Sequence, residues 1–145
     1  MKHGYLKSTI NDCGILHLPK VSTDAGNITS INNHTDIPFS TRRIYYLYDI
    51  PGGESRGGHA HKELYQVITA LGGSFDILLD DGIQKRVFSI NRPDMGLLIV
   101  PGIWREIFNF SSGSTCFVLA SERYSEEDYI RDYKIFKRQK LYEKK

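Results

Sequence analysis

The sequence is poor in cysteine, has no long apolar run and is almost neutral, and each shortage excludes a class of protein. Only Cys13 and Cys116 occur among its 145 residues, so no disulfide framework is predicted. The longest apolar stretch, residues 96–103, is interrupted by Pro101 and Gly102 and is far too short to span a membrane. A formal charge of +2, with basic residues gathered at the C-terminal end, predicts neither a nucleic-acid partner nor a membrane partner.

The length of the chain suits one domain. A chain of 145 residues can bury about two thirds of its unfolded surface around one core, so a single domain is expected over residues 1–145. No apolar signal region follows Met1, and the expected location is therefore the cytoplasm.

Short β-rich segments recur between glycine, proline, aspartate and asparagine residues, which is typical of an antiparallel sandwich or barrel. Residues 72–73 and 80–82 are expected to form hairpin turns, because their residue types tolerate positive φ. Weaker strands within residues 10–35 are expected to lie at a sheet edge or to exchange with a partner chain. The clearest strands are predicted at residues 42–49, 64–70, 74–79, 85–90, 96–100, 106–110 and 115–120.

One helix is predicted at the C-terminal end, over about residues 125–140. Ser125 and the three acidic residues that follow it resemble a capping box, and the acidic groups complement the positive end of a helix dipole. The helix would pack one apolar stripe against the barrel. That stripe consists of Tyr129, Ile130, Tyr133 and Phe136.

Two histidines occur in a spacing known from metal sites, but their carboxylate ligand is missing. His59 and His61 are separated by one residue, so in a strand they face the same side of a sheet. With Gly53 and Gly73 they resemble the first signature of the cupin superfamily, in which Gln66 takes the place of the carboxylate. Because a catalytic metal usually has three protein ligands, a metal site is disfavoured. Glu63 would share the face of the histidines, so a site of two histidines and Glu63 stays open.

The second cupin signature has a counterpart in Pro101, Trp104-Arg105 and Asn109. Arg105 occupies the position of the last metal-binding histidine. Since a guanidinium group stays protonated and has only donors, it replaces a cation rather than binding one. The two signatures together predict an all-β fold, a cupin jelly-roll barrel of antiparallel strands with one C-terminal helix. They also predict a pocket that binds an anionic ligand without a metal.

Without a metal, paired histidines are suited to proton transfer, because an unperturbed imidazole titrates at about 6.5. Such a pair suits proton abstraction next to a carbonyl, where the resulting enediolate needs nearby donors. Guanidinium groups match phosphate geometry, and four arginines near the histidines suggest a diphosphate. These arginines are Arg42, Arg43, Arg56 and Arg105, and the aromatic residues that could stack a base or sugar are Tyr45, Tyr46, Tyr48 and Trp104.

Two longer strings resemble the dTDP-4-keto-6-deoxyglucose 3,4-ketoisomerases, and the likeness extends over about residues 20–137. The strings are Arg56-Gly57-x-His59-Ala60-His61-Lys62 and Asp128-Tyr129-Ile130-Arg131. The resemblance implies a metal-independent cupin with no cofactor, commonly a homodimer that exchanges N-terminal strands. It would move the ketone of a dTDP-linked 4-keto-6-deoxysugar from C4 to C3. The product would enter the synthesis of 3-amino-3,6-dideoxyhexoses for bacterial surface glycans, such as lipopolysaccharide O-antigens and S-layer glycans.

The resemblance also implies roles for single residues. His59 would be the base that removes the C3 proton and helps to reprotonate C4, and His61 would relay a proton from the C3 hydroxyl to the C4 oxygen. Arg43 and Arg56 would hold the diphosphate, with Tyr45 nearby. The other substrate-binding residues would be Lys62, Gln66, Trp104 and Arg105. Arg105 resembles the branch with gluco products, whereas members with galacto products tend to have histidine there.

Other functions stay open. A sugar-nucleotide 3,5-epimerase shares the fold and the histidine base, but it needs a carboxylate partner, and no aspartate follows His59 or His61 in a suitable pattern. A non-catalytic cupin that binds a nucleotide sugar is a second alternative, against which the paired histidines argue. A metal-dependent oxygenase is disfavoured by the loss of two ligands.

Overall fold

A computed structural model of the protein describes residues 4–143. Antiparallel strands are its main regular structure, and the helical segments lie near the two ends. Helix α1 is Gly4–Lys7, helix α2 is Tyr133–Glu143, and two 3-10 turns cover Ile10–Asp12 and Glu126–Asp128. The strands are β1 (Gly14–His17), β2 (Val21–Thr23), β3 (Gly26–Ile28), β4 (Arg43–Leu47), β5 (Arg56–His61), β6 (Gln66–Gly72), β7 (Phe75–Asp80), β8 (Lys85–Ile90), β9 (Met95–Ile99), β10 (Trp104–Phe108), β11 (Thr115–Ala120) and β12 (Tyr129–Ile130).

Two five-stranded sheets face each other and confirm the predicted jelly roll. The first sheet has the order β1-β9-β6-β11-β4, and the second has the order β12-β5-β10-β7-β8. Neighbouring strands in both sheets run antiparallel. Apolar side chains from both sheets meet in the main core, where burial of their surface is the main stabilising contribution. This core includes Ile68, Leu97 and Val118 from the first sheet and Ile77, Leu79 and Ile107 from the second.

One of the two predicted hairpins is confirmed, and the other was wrong. β7 and β8 pair around residues 80–82, where the Asp81 side chain accepts hydrogen bonds from the N–H groups of Ile83 and Gln84. β6 and β7, in contrast, belong to different sheets. Gly73 therefore lies where the chain crosses between sheets. A Cβ atom there would lie 2.8 Å from Ser114, so close packing rather than a hairpin requires the glycine.

The C-terminal helix begins at Tyr133, and the prediction of a start near residue 125 was wrong. Asp128 instead accepts hydrogen bonds from the side chain of His61 and the backbone N–H of Glu63. The next two residues form β12, which pairs with β5. These contacts between distant segments override the local capping signal, because the early residues gain more partners in the sheet than in a first helical turn.

The N-terminal strands are peripheral. β1 lies at the edge of the first sheet and pairs with β9, which is one of the two arrangements that the sequence left open for this part of the chain. β2 and β3 pair with each other and with no other strand of residues 4–143. All their residues are exposed. Within the same residues, no helix is long and apolar enough to cross a membrane.

Candidate active site

β5 places the two histidines inside the barrel. Ala60, between them, points the other way and is buried in a separate cluster beneath α2. The ring centroids of His59 and His61 are 4.7 Å apart, with one ring edge-on to the other. β5 also carries an irregularity at Gly57, whose φ of 87° favours glycine. Beyond this irregularity Arg105 of β10 lies directly opposite His59.

An open cavity of about 360 Å³ lies between the sheets, next to His59. Polar side chains, among them four arginines, form one part of its lining, and apolar side chains form the rest. The inward-facing residues of β4 contribute to this wall because exposure alternates along that strand. The polar lining residues are Arg43, Tyr45, Arg56, His59, Gln66, Arg105, Tyr129 and Arg131, and the apolar ones include Leu47, Ile68, Ile107 and Val118.

The structure does not bring Trp104 and Lys62 to this cavity, although the sequence predicted both as substrate-binding residues. Trp104 precedes Arg105 in β10 and therefore faces the other side of the sheet. There it packs against Tyr133 and Phe136 of α2. The Lys62 side chain lines surface grooves elsewhere.

The arginines of the cavity differ in part from those expected. Arg42 points outward, because the side chains of consecutive residues such as Arg42 and Arg43 face opposite sides of the sheet. There it pairs with Glu122 at 3.4 Å. Arg131 takes its place in the lining. The guanidinium of Arg43 lies 5.0 Å from the ring centroid of Tyr45, and its Nε is buried without a hydrogen-bond partner.

Arg105 is a buried cation that is held by neutral partners. Its Nη1 donates to Oε1 of Gln66 at 2.6 Å, and its Nη2 donates to the carbonyl of Ile103 at 2.9 Å. Among residues 4–143, no carboxylate lies within ion-pair distance of it. Burial lowers the pKa of Arg105 to about 10, so the group still carries its charge at neutral pH. An anionic ligand in the cavity would provide the missing countercharge.

Both histidines are neutral in this environment. Burial, followed by the charge of Arg105, lowers the pKa of His59 to about 2. Burial also lowers the pKa of His61 to about 4, against the raising effect of its hydrogen bond with Asp128. Nε2 of each ring is buried without a hydrogen-bond partner. A neutral imidazole has one acceptor nitrogen, so each ring can take up a proton.

His59 and His61 differ in their access to the cavity. His59 lines the cavity wall. His61 has no exposed surface and lies behind it. The shared face predicted from the spacing is therefore correct, but only one of the two rings contributes to the wall.

Three residues around the histidines were not expected at the site, because the sequence pattern assigned them to the helix or its start. Asp128 Oδ2 lies 2.9 Å from Nδ1 of His61. The ring of Tyr129 lies 5.0 Å from His59 and 4.4 Å from His61, and the Arg131 guanidinium covers the Tyr129 ring at 4.1 Å. The available signal was the string from Asp128 to Arg131, which contributed to the resemblance without any role being assigned to it.

The structure corrects one expectation about carboxylates and does not form the Glu63 site that stayed open. Asp128 lies 67 positions after His61, so a histidine does have a carboxylate partner, from a distant segment. Glu63, the possible third metal ligand, is exposed outside the cavity, and its N–H donates to Asp128. Within residues 4–143 no three His, Cys, Asp or Glu side chains are grouped to hold a metal ion.

The two antiparallel sheets and the histidine and arginine cavity between them define an all-β cupin. Its sequence matches a family model, that of the FdtA family, described as WxcM-like, C-terminal, over residues 11–141. The chain therefore belongs to this family, and the resemblance drawn from the sequence motifs is confirmed.

Relatives of known activity cover most of the chain. It is 41% identical, over 86% of its length and 89% of the relative, to TDP-4-oxo-6-deoxy-alpha-D-glucose-3,4-oxoisomerase of Aneurinibacillus thermoaerophilus. It is 42% identical to the TDP-quinovose 3,4-ketoisomerase WlaRB of Campylobacter jejuni, with a TM-score of 0.85 over 89% of this chain and 99% of that one. A mutant of the 3,4-ketoisomerase QdtA of Thermoanaerobacterium thermosaccharolyticum, in complex with TDP-4-keto-6-deoxyglucose, is 34% identical, with a TM-score of 0.89 over 92% of this chain and 97% of that one.

Proposed function

We propose that this protein is an isomerase, a TDP-4-keto-6-deoxyglucose 3,4-ketoisomerase that forms a TDP-3-keto-6-deoxyhexose. The observation that carries the proposal is a histidine pair, with ring centroids 4.7 Å apart, beside a cavity lined by four arginines. The relatives named for 3,4-ketoisomerase activity support it, since their similarity extends over nearly the whole chain.

In the proposed reaction, His59 is the base. Its unpaired ring nitrogen removes the proton from C3, and the electron pair of that bond forms the C3–C4 double bond of an enediolate while the C4 carbonyl oxygen becomes negative. The buried charge of Arg105, which lies opposite His59, stabilises this oxyanion. Return of the proton to C4 and formation of the C3 carbonyl complete the isomerisation, so no electrons are gained or lost overall.

His61 is proposed to move the second proton, from the C3 hydroxyl to the C4 oxygen. Its Nε2 has no hydrogen-bond partner, which leaves it able to accept a proton. Since His61 has no exposed surface, this role requires the substrate oxygens to reach Nε2 beside the His59 ring.

The TDP group is proposed to bind through its diphosphate to Arg43 and Arg56, with Arg131 as a further cation of the lining. Arg43 supports this assignment because its Nε lacks a partner, and bidentate contact with a phosphate would satisfy it. Tyr45 contacts both Arg43, whose guanidinium lies over its ring, and Gln66, from which its hydroxyl accepts a hydrogen bond.

The product is proposed to have the gluco configuration at C4. Support comes from Arg105, which matches the gluco branch of the family, and from WlaRB, whose named sugar, quinovose, is 6-deoxyglucose. Coupling constants of the product sugar ring decide between the two C4 configurations. Substituting Arg105→His is expected to change the product ratio towards galacto. An unchanged ratio in an active variant would remove Arg105 from this role.

The protein is further proposed to act as a cytoplasmic homodimer in the synthesis of 3-amino-3,6-dideoxysugars for surface glycans. Exposed apolar surface on two elements supports the dimer: Val21 and Ile28 of the β2–β3 hairpin are 60% and 66% exposed, and Ile44 and Tyr46 of β4 are 54% and 56% exposed. A partner could cover this surface by exchanging strands within residues 10–35. Light scattering after gel filtration is expected to give a dimer, and Ile28→Asp is expected to give a monomer.

The activity is tested by incubating the protein with TDP-4-keto-6-deoxyglucose in D2O and following the sugar by NMR. The expected result is a 3-keto isomer with loss of the C3 proton signal, in a sample treated with chelator and analysed for metal. Exchange at C5 with epimerisation would support the 3,5-epimerase. Binding of TDP without exchange at any carbon would support the non-catalytic nucleotide-sugar cupin.

A further inference from the structure

His61 has one charged hydrogen-bond partner, and that partner binds one side of the ring. Nδ1 lies 2.9 Å from Oδ2 of Asp128, while Nε2 is buried and has no partner among residues 4–143. His61 is fully buried, so water does not compete for either nitrogen. The direction of this single hydrogen bond therefore decides which nitrogen carries the hydrogen.

The carboxylate of Asp128 is ionised, and its second oxygen also accepts a hydrogen bond. Oδ1 accepts the N–H of Glu63 at 2.7 Å, and the backbone carbonyl of Asp128 accepts the N–H of Lys62 at 3.0 Å. Burial alone would raise the pKa of Asp128, but the hydrogen bonds from His61 and Glu63 outweigh it and hold that pKa below its usual value. An ionised carboxylate can only accept hydrogen bonds, so Nδ1 of His61 must donate.

We propose that Asp128 is a positioning residue that holds His61 in the Nδ1–H tautomer, so that the lone pair of Nε2 accepts a proton once the substrate oxygens reach it beside the His59 ring. Nε2 then takes the proton of the C3 hydroxyl, Asp128 stabilises the imidazolium that forms, and Nε2 returns the proton to the C4 oxygen. No proton passes to Asp128. The relay step rests on the proposed function, whereas the tautomer is a property of the free protein.

Asp128→Asn separates this role from simple anchoring of β12. An asparagine keeps one carbonyl oxygen, which can still accept the N–H of Glu63. In place of Oδ2 it presents an NH2 group, which donates to Nδ1 of His61 and moves the ring hydrogen to Nε2. The hydrogen bond from the N–H of Glu63 is therefore kept, whereas the group that faces Nδ1 of His61 changes from an acceptor to a donor. The matched control is Glu127→Gln, the same chemical change on the exposed neighbouring residue.

The ring nitrogens are observed directly by two-bond 1H–15N NMR on protein with 15N-labelled histidine, and the His61 signals are assigned from their loss in His61→Gln. We expect Nδ1 to be protonated in wild type and Glu127→Gln, and Nε2 to be protonated in Asp128→Asn. With TDP-4-keto-6-deoxyglucose we expect kcat of Asp128→Asn to fall about 100- to 10,000-fold. KM and the affinity for TDP should stay within about twofold.

Two results would overturn the proposal. One is wild-type protein in which His61 carries its hydrogen on Nε2, a measurement that needs neither the variant to fold nor the enzyme to turn over. The other is an Asp128→Asn protein that changes tautomer and keeps its kcat. If wild type shows the expected tautomer but no isomerisation, the proposed function fails and the assignment of Asp128 as the group that sets the tautomer remains supported.

Discussion

Nη1 of Arg105 donates a 2.6 Å hydrogen bond to Oε1 of Gln66, and both side chains are buried. Because arginine has only donors, this contact determines which end of the glutamine amide faces it. The NH2 end then donates to the Tyr45 hydroxyl at 2.9 Å. Burial raises the pKa of Tyr45, so the phenol keeps its hydrogen and can donate it to a ligand in the cavity. Gln66, which takes the place of the carboxylate ligand of a metal-binding cupin, therefore orients the Tyr45 hydroxyl as a donor.

Substituting Gln66→Leu is expected to lower the free energy of unfolding by about 1–3 kcal/mol, because it leaves a donor of buried Arg105 without an acceptor. Urea unfolding measures this change. Gln84→Leu, on the exposed turn after β7, is the matched control and should stay within about 0.5 kcal/mol of wild type. Equal stability of the two variants would show that the hydrogen bond between Arg105 and Gln66 contributes nothing.

Replacing His59 with asparagine is expected to reduce kcat about 100- to 10,000-fold, because the base is lost. Calorimetric titration with TDP should give unchanged affinity, since the arginines that would hold the diphosphate remain. His17→Asn, at an exposed position of β1, is the control and should keep full activity. If His59→Asn turned over normally once saturated, His59 would position the ligand rather than remove its proton.

Trp104 and Tyr45 are expected to differ in whether their substitution changes KM, because only Tyr45 lines the cavity. Trp104→Ala should lower the free energy of unfolding by about 3–5 kcal/mol, because it empties the packing beneath α2. KM of the folded variant should stay unchanged, since Trp104 faces away from the cavity. Tyr45→Phe should raise KM, because it removes a donor to the ligand, and should lower the free energy of unfolding by about 1–3 kcal/mol, because it leaves the NH2 group of buried Gln66 without its acceptor. A raised KM in Trp104→Ala with unchanged stability would place Trp104 at the substrate after all.

Stability is expected to fall as the pH is lowered from about 6.5 to about 4, in part through His61. Its pKa is lowered to about 4 in the folded protein by burial, against about 6.5 in an unfolded chain. The unfolded chain therefore binds a proton in this window that the folded protein does not bind. The loss should be about 1.4 kcal/mol per pH unit for this one group. Above the unfolded pKa, His61 adds no pH dependence.

The measurement is urea unfolding of wild type and His61→Gln between pH 7.5 and about 4.5. The two curves of unfolding free energy against pH should diverge in slope below about pH 6.5, with wild type the steeper. Titration of Asp128 does not alter the difference between the two curves, because the pKa of Asp128 is lowered below a usual value that is already acidic. Parallel curves would mean that His61 takes up a proton equally in the folded protein and in the unfolded chain.

The strands and the inward-facing histidines could be predicted because they depend on local pattern. Alternation along β4 and β5 assigns each residue to one face, so His59 and His61 had to lie together once β5 was a strand. The same rule, applied to β10, separates Trp104 from Arg105. The sequence analysis placed both residues at the site because a motif orders residues along the chain and does not state on which face each one lies.

The start of the C-terminal helix could not be predicted, because two signals competed over the same residues. The acidic run after Ser125 is a good helix start by itself. Pairing of Tyr129 and Ile130 with β5, together with the hydrogen bonds of Asp128, prevails over it. Only a contact between segments far apart in the chain reveals that outcome.

The sequence by itself determined the family, the jelly roll and most of the polar cavity residues, since spacing and alternation are properties of neighbouring residues. Only the tertiary structure decided that Asp128 binds His61, that Arg131 rather than Arg42 lines the cavity, and that Lys62 and Trp104 lie outside it. The physical reason is that hydrogen bonds and burial act between atoms that are close in space. The pairing of β12 with β5 brings them together across 67 positions of chain.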